Sequence, residues 1–188
     1  MKHHTRTLMV IFSFVFLLIN STPQPGVMAD QFTYTTIDLT PAWTTGVISD
    51  SAGVAGLVAE DLDQDGKVEI TSCSNGYVYV LRATEDGTYS TIWFSEFLDC
   101  IQITSADRDS NGVPEIYIAS GNGVIRIIDG ASFQVLGAFT ALTNTGIYDI
   151  AVADVDGDGW YEIVIVRTGE TLVFDATGYA LEWQATGL

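Results

Sequence analysis

One pattern occurs three times in this 188-residue chain, and it constrains the fold more than any other feature. Each copy has an acidic nine-residue loop that ends in glutamate and is followed by isoleucine and an apolar segment. The first residues of the loops, Asp61, Asp107 and Asp154, are 46 and 47 residues apart. Repeats of this length are typical of β-propeller blades and of solenoids, whose units bury their faces against one another.

Each copy contains four short segments rich in β-branched and aromatic residues, separated by turn-forming residues. The predicted strands of the three copies are Val54–Glu60, Val68–Ser74, Tyr77–Arg82 and Thr88–Phe94; Cys100–Ala106, Pro114–Ser120, Val124–Ile128 and Phe133–Phe139; and Ile147–Ala153, Tyr161–Arg167, Thr171–Phe174 and Tyr179–Gln184. Four antiparallel strands per unit predict propeller blades. We therefore expect an all-β chain with three four-stranded blades, over about residues 53–95, 99–140 and 146–186.

A further strand is predicted at Phe32–Asp38, because its Tyr-Thr-Thr-Ile sequence is similar to Tyr-Ser-Thr-Ile in Thr88–Phe94. A chance match of four β-forming residues is the alternative. Closed propellers have about four to eight blades. Residues 30–188 are therefore predicted to form an incomplete propeller, whose remaining blades come from a longer chain or from an oligomer.

Residues 1–29 have the order of a secretory signal peptide. Basic residues lie within Met1–Arg6, an apolar run covers Leu8–Ile19, and small residues precede a cleavage site after Ala29. A membrane anchor is the alternative, but the apolar run is shorter than the roughly 20 residues that span a bilayer. We expect an exported chain, secreted or at the cell surface, with no membrane span after cleavage; the periplasm is the alternative compartment.

Charge excludes several classes of function. From residue 30 onward five basic residues accompany 24 acidic residues, which gives a net charge of −19. This balance argues against nucleic acids and anionic membranes as partners. The only histidines, His3 and His4, lie in the signal segment, so the rest of the chain has no Ser-His-Asp or Cys-His arrangement and no histidine zinc site.

The acidic loops have oxygen-bearing side chains at positions 1, 3, 5 and 9, and glycine at position 6. Calcium requires about six to eight oxygens, and a loop that curls around the ion presents alternate residues to it. The predicted ligands are four side chains and the position-7 carbonyl of each loop: Asp61, Asp63, Asp65, Lys67 and Glu69; Asp107, Asp109, Asn111, Val113 and Glu115; and Asp154, Asp156, Asp158, Trp160 and Glu162. Up to three Ca²⁺ ions are expected, the second bound more weakly because Asn111 replaces a carboxylate.

Two other interpretations of the loops are less favourable. An EF-hand requires glutamate at position 12, where these loops have Ser72, Ile118 and Ile165. A solvated acidic turn without an ion would place three or four carboxylates close together at a repulsive cost, three times over. Calcium is therefore favoured, and it is expected to stabilise the fold rather than to take part in catalysis.

With these loops and their flanking strands, residues 53–185 resemble the FG-GAP/VCBS family of calcium-binding β-propeller repeats, which is related to the integrin α-subunit head. The resemblance implies blades and calcium. It implies no particular activity, because such repeats occur in adhesins, in polysaccharide-degrading enzymes and in accessory domains. The Phe-Gly and Gly-Ala-Pro signatures are absent near Val54–Gly56 and Arg167–Gly169, so no integrin-like ligand site is carried over.

The two cysteines are predicted to lie in neighbouring blades on the rim opposite the acidic loops. Cys73 is near the end of the second strand of one blade, and Cys100 begins the first strand of the next. In an exported protein this placement favours a disulfide, with two free buried thiols as the alternative.

The sequence favours a binding, adhesion or scaffold module with a protein or glycan ligand, and it offers no catalytic residue. The acids outside the loops show no pairing typical of a two-carboxylate hydrolase. The alternative is the propeller portion of an extracellular polysaccharide-degrading enzyme with its catalytic residues outside this chain; a purely structural accessory module is a third interpretation.

Overall fold

The described part of the chain consists of strands and turns. The structure, a computed structural model, describes residues 56–141 and 146–187. Within these residues twelve strands form three four-stranded antiparallel sheets, each with its strands in chain order. The first blade comprises β1 (Leu57–Glu60), β2 (Glu69–Ser74), β3 (Tyr77–Ala83) and β4 (Tyr89–Phe94). The second comprises β5 (Cys100–Ala106), β6 (Glu115–Ser120), β7 (Val124–Asp129) and β8 (Val135–Thr140). The third comprises β9 (Ile147–Ala153), β10 (Glu162–Arg167), β11 (Glu170–Asp175) and β12 (Leu181–Thr186).

Tight hairpins join the second and third strands of each blade. In the first blade Asn75 and Gly76 have φ angles of 51° and 81°. Positive φ at both central residues is what a type I′ turn requires, and asparagine and glycine adopt it most readily. The acidic loops join the first and second strands, so they lie at the opposite end of each blade from these hairpins.

The first strands of neighbouring blades lie side by side, β1 beside β5 and β5 beside β9. Gly56, immediately before β1, lies against β5. A Cβ atom there would lie 2.4 Å from the backbone nitrogen of Ile103 in β5, so the two backbones can meet only at a residue without a side chain.

Two apolar clusters lie between the blades. The cluster between blades one and two comprises Leu62, Cys73, Val78, Val80, Leu98, Cys100, Ile103, Ile116, Ile118 and Ile128. The cluster between blades two and three includes Tyr117, Ala119, Ile125, Ile127, Ile147, Ile150, Ile163, Ile165, Leu172 and Phe174. Alternate residues of β6 belong to different clusters, because this strand is buried on both faces. That position explains its nearly continuous apolar sequence.

An aromatic stack lies at each blade interface. Trp93 of β4 stacks on Phe133 with 5.1 Å between ring centroids, and Phe139 of β8 stacks on Tyr179 at 4.8 Å. In each pair an outer strand of one blade contacts the turn before the outer strand of the next. Such pairs contribute about 0.5–1.5 kcal/mol beyond the area they bury.

Phe133 and Tyr179 also mark where the strand prediction was wrong. Both were predicted to begin outer strands, but β8 and β12 begin two residues later. The two residues have φ angles of 58° and 57°, and their N–H groups donate to the carbonyls of Asp129 and Asp175. They therefore close five-residue turns, and the aromatic stacks stabilise this less favourable backbone conformation.

Two sequence predictions lie outside the described residues. They are the signal peptide at residues 1–29 and the extra strand at Phe32–Asp38, and both remain predictions. Within the ranges 56–141 and 146–187 there is no helix with the length and apolar character needed to cross a membrane.

The cluster between blades two and three yields a stability prediction. Ile127 is fully buried in it, so Ile127→Ala should lower the free energy of unfolding by about 2–5 kcal/mol through lost apolar burial and a residual cavity. Urea denaturation measures the change. Val135→Ala on the neighbouring β8, where the side chain is 66% exposed, is the control and should change it by less than about 0.5 kcal/mol. If the two substitutions lowered the free energy of unfolding equally, the placement of the core between blades two and three would be contradicted.

Candidate metal centre

The three acidic loops have the same backbone arrangement. In each, the position-1 aspartate accepts a hydrogen bond from the N–H of the position-6 glycine. The distances are 2.9 Å for Asp61, 2.8 Å for Asp107 and 3.1 Å for Asp154. The position-5 side chain accepts from the N–H of position 7 in each loop, at 2.7–2.8 Å. These bonds curl the loop around its carboxylates.

The position-9 glutamate closes each loop by a hydrogen bond to the loop backbone. Its Oε2 accepts the N–H of the position-2 residue, at 3.0 Å for Glu69, 3.1 Å for Glu115 and 2.7 Å for Glu162. All three side chains are at most 3% exposed. A buried carboxylate is costly unless other groups compensate its charge. The sequence predicted these glutamates as metal ligands, and the structure adds that they tie the loop to the start of the second strand.

Two of the loops bring three carboxylates close together. Oxygens of Asp61, Asp63 and Glu69, and of Asp154, Asp156 and Glu162, lie within 4.8 Å of one another in each set. Among the described residues, no corresponding trio forms in the second loop. Oxygen-only donors suit hard cations such as Ca²⁺ and Mg²⁺ rather than zinc or copper. The donor chemistry of the first and third loops therefore fits the predicted calcium.

The loops differ in how their charge is neutralised. In the first, the guanidinium of Arg82 donates to Glu69 Oε1 at 2.7 Å and also pairs with Asp63. In the second, Arg108 Nε lies 3.7 Å from a Glu115 oxygen. In the described part of the chain, no ion pair reaches a carboxylate of the third loop.

These surroundings shift several pKa values. The hydrogen bond to Glu69 raises the pKa of Arg82. Burial raises the pKa of Glu115, although the N–H and charge of Arg108 oppose the shift. Beside the third loop, the pKa of Glu182 on β12 is raised, by desolvation first and then by the negative charge of Glu162. The third loop is thus a region of uncompensated negative charge.

The loop pattern has a counterpart among known families. Residues 61–118 match the family model of the FG-GAP-like repeat, from the first residue of the first acidic loop to the middle of β6. The chain carries an FG-GAP-like repeat. The resemblance inferred from the acidic loops is confirmed.

Solved structures support the same fold. A crystal structure of BBS1N in complex with ARL6DN, soaked with lead, is 17% identical to this chain, with a TM-score of 0.59, and the match covers 76% of this chain and 46% of that one. A mercury-soaked crystal of the same complex gives 17% identity, a TM-score of 0.56 and coverage of 74% and 41%. The predicted propeller architecture is confirmed, and the chain spans less than half the length of these two solved chains. A search of the curated proteins finds no match.

The cysteines meet at the rim opposite the acidic loops. Cys73 of β2 and Cys100 of β5 form a disulfide with a Cα–Cα distance of 5.7 Å, and both residues are buried. The N–H of Cys100 also donates to the carbonyl of Gly76 in the first hairpin, at 3.1 Å. The disulfide and this bond both join blades one and two.

Arg82 was not among the residues predicted for the first loop. A usable signal was present, because Glu69 is paired with Arg82 across β2 and β3, whereas Glu115 and Glu162 are paired with Asp129 and Asp175. An alignment of the three copies of the repeat therefore reveals one basic residue at a position that is otherwise acidic.

The disulfide gives a second prediction. The cysteines are 27 residues apart. Removing the cross-link should therefore lower the free energy of unfolding by about 3–4 kcal/mol, mainly because the unfolded chain gains conformational entropy. Chemical denaturation of Cys73→Ala/Cys100→Ala measures the loss. Ser72→Ala/Ser74→Ala, which truncates two buried side chains whose Oγ atoms make no hydrogen bond, controls for side-chain truncation. If the intact mass does not rise by about 2 Da on reduction, the disulfide itself is absent.

Proposed function

We propose that this chain is an exported β-propeller module in which Ca²⁺ stabilises the acidic rim, and which binds or scaffolds other molecules rather than catalysing a reaction. The observation that carries the proposal is the third acidic loop. Asp154, Asp156 and Glu162 present oxygens within 4.8 Å of one another. The buried Glu162 has a backbone hydrogen bond but no ion pair in the described residues.

This arrangement favours a divalent cation because the alternatives are costly. Three carboxylates at this separation repel one another, and at least one is removed from water. Calcium accepts irregular sets of about six to eight oxygens, whereas magnesium prefers a near-octahedral shell and retains several waters. When bound, the ion would supply positive charge to a loop that has none of its own.

The predicted role of calcium is structural. The third loop joins β9 to β10, and Asp154 and Glu162 already accept hydrogen bonds from its backbone. An ion held by the same side chains would fix the connection between two core strands. At a calcium concentration tenfold above Kd, one site adds about 1.4 kcal/mol to the stability of the folded state.

The proposal that the propeller is incomplete is supported by the outer face of blade three. Val164, Val173 and Trp183 lie side by side across β10, β11 and β12, with Val166 two residues along β10. Their neighbours Ile163 and Ile165 face the core. Trp183 is 54% exposed and Val166 is 38% exposed. The equivalent face of blade two packs against blade three, so we propose that a further blade, from a longer chain or a second copy, packs here.

A protein ligand is proposed in preference to a glycan. The similar propeller BBS1N was crystallised in complex with another protein, ARL6DN. The acidic rim, with its net negative charge, suits partners with basic surfaces. Export is proposed from the signal-like segment 1–29, and a disulfide between Cys73 and Cys100 is compatible with an oxidising compartment.

Calcium removal tests the structural role. EDTA should lower the Tm of the full chain by about 3–6 °C if one site contributes about 1.4 kcal/mol. Asp154→Asn should reduce this calcium-dependent shift, because it removes a charged ligand from the third loop. Asp149→Asn removes one charge from β9 outside the loop and should retain the shift. Identical melting curves with and without calcium would refute a structural calcium ion.

The outer face is tested by sedimentation. If a second copy packs against blade three, the full chain should self-associate, and Val166→Asp should make it monomeric by placing a charge in an apolar interface. If the chain is instead a monomer that binds an apolar dye, and Val166→Asp abolishes this binding, the further blade belongs to a longer chain. A monomer that does not bind the dye would contradict the proposed packing.

A further inference from the structure

The first acidic loop already contains a cation, the guanidinium of Arg82. Its Nε donates to Glu69 Oε1 at 2.7 Å, a second nitrogen pairs with Asp63, and a third lies 3.9 Å from Asp65 Oδ2. One guanidinium therefore contacts three of the four acidic side chains of the loop. These three were predicted calcium ligands.

The repeat shows that this arrangement is specific to blade one. Arg82 is directly opposite Glu69 in the register of β2 and β3, and directly paired residues place their side chains on the same face of a sheet. In the other blades the residue opposite the loop glutamate is Asp129 or Asp175. These aspartates instead accept N–H groups of the following turns.

The interactions of Arg82 are of a strong kind. Glu69 is fully buried, and removing the partner of a buried charge is costly, whereas the guanidinium satisfies it with a planar set of donors. A calcium ion at the same position would have to displace this ion pair. It would also leave a positive guanidinium next to a divalent cation.

We propose that Arg82 takes the place of the metal ion in the first loop, so that this loop is closed by internal ion pairs and does not bind calcium, while the third loop does. Arg82 thus acts as a specificity-determining residue that selects which acidic loop takes a cation. The inference rests on the proposed calcium site of the third loop. Because the first loop is excluded as a calcium site, the chain binds fewer than the three calcium ions expected from its sequence.

Calcium titration of the full chain by calorimetry tests the inference. Arg82→Gln should bind one more equivalent of Ca²⁺ than the wild type, because it frees the carboxylates of the first loop. Arg126→Gln is the matched control. It removes the same charge from β7, where Arg126 donates to Ser120 Oγ, and it should leave the stoichiometry unchanged. If Arg82→Gln gains no equivalent, the inference is overturned.

A second variant keeps the test valid if Arg82→Gln does not fold. In the wild type, Asp61→Asn should leave the number of bound calcium ions unchanged, and loss of one equivalent would overturn the inference. Adding Asp61→Asn to Arg82→Gln should remove the gained equivalent. If that equivalent persists, the ion is bound elsewhere, and the inference also fails.

The third loop is monitored separately with Tb³⁺, whose luminescence is sensitised by a nearby tryptophan. Trp160 lies within that loop, while the first loop has Lys67 at the same position. Sensitised emission should be lost in Asp154→Asn and retained in Arg82→Gln. Absence of emission from the wild type, together with no calcium binding, would refute the proposed function. A gained equivalent in Arg82→Gln would still support the role of Arg82.

Discussion

A propeller blade is one sheet thick, so it cannot bury either face within itself and must pack both faces against neighbouring blades. The two apolar clusters lie between blades rather than within them. Strand β6 is buried on both faces for this reason. The same two interfaces also carry the aromatic stacks, and the disulfide joins one of them. Apolar, aromatic and covalent contacts thus act together at the blade boundaries.

Packing through the faces leaves the strand ends free for polar chemistry. The acidic loops lie at one end of the blades, where each loop closes on a buried glutamate that accepts an N–H from its own backbone. This hydrogen bond does not neutralise the negative charge of the glutamate, and the three loops differ in the basic groups around it. The first loop has Arg82, the second has Arg108 nearby, and the third has no basic partner within the described residues. Loops that look equivalent in sequence therefore differ in their electrostatics.

Much of the fold could be predicted from the sequence because the repeat shows the same local pattern three times. Hairpins such as Asn75-Gly76 depend on the φ preferences of adjacent residues, so they can be read locally. The starts of β8 and β12 could not, because Phe133 and Tyr179 adopt positive φ in turns that are stabilised by stacking on residues of the preceding blade. β-forming propensity alone assigned both residues to strands.

The strand pattern, the blade repeat and the oxygen donors of the acidic loops follow from local sequence, because each of these depends on residues within a few positions of one another. Which charges meet depends instead on the packing of strands and blades. Arg82 reaches Asp63 across 19 residues through the register of a hairpin, and Arg108 donates to the carbonyl of Ala176 across 68 residues and a blade boundary. Contacts of this kind depend on how strands align and blades pack, and no local pattern encodes them.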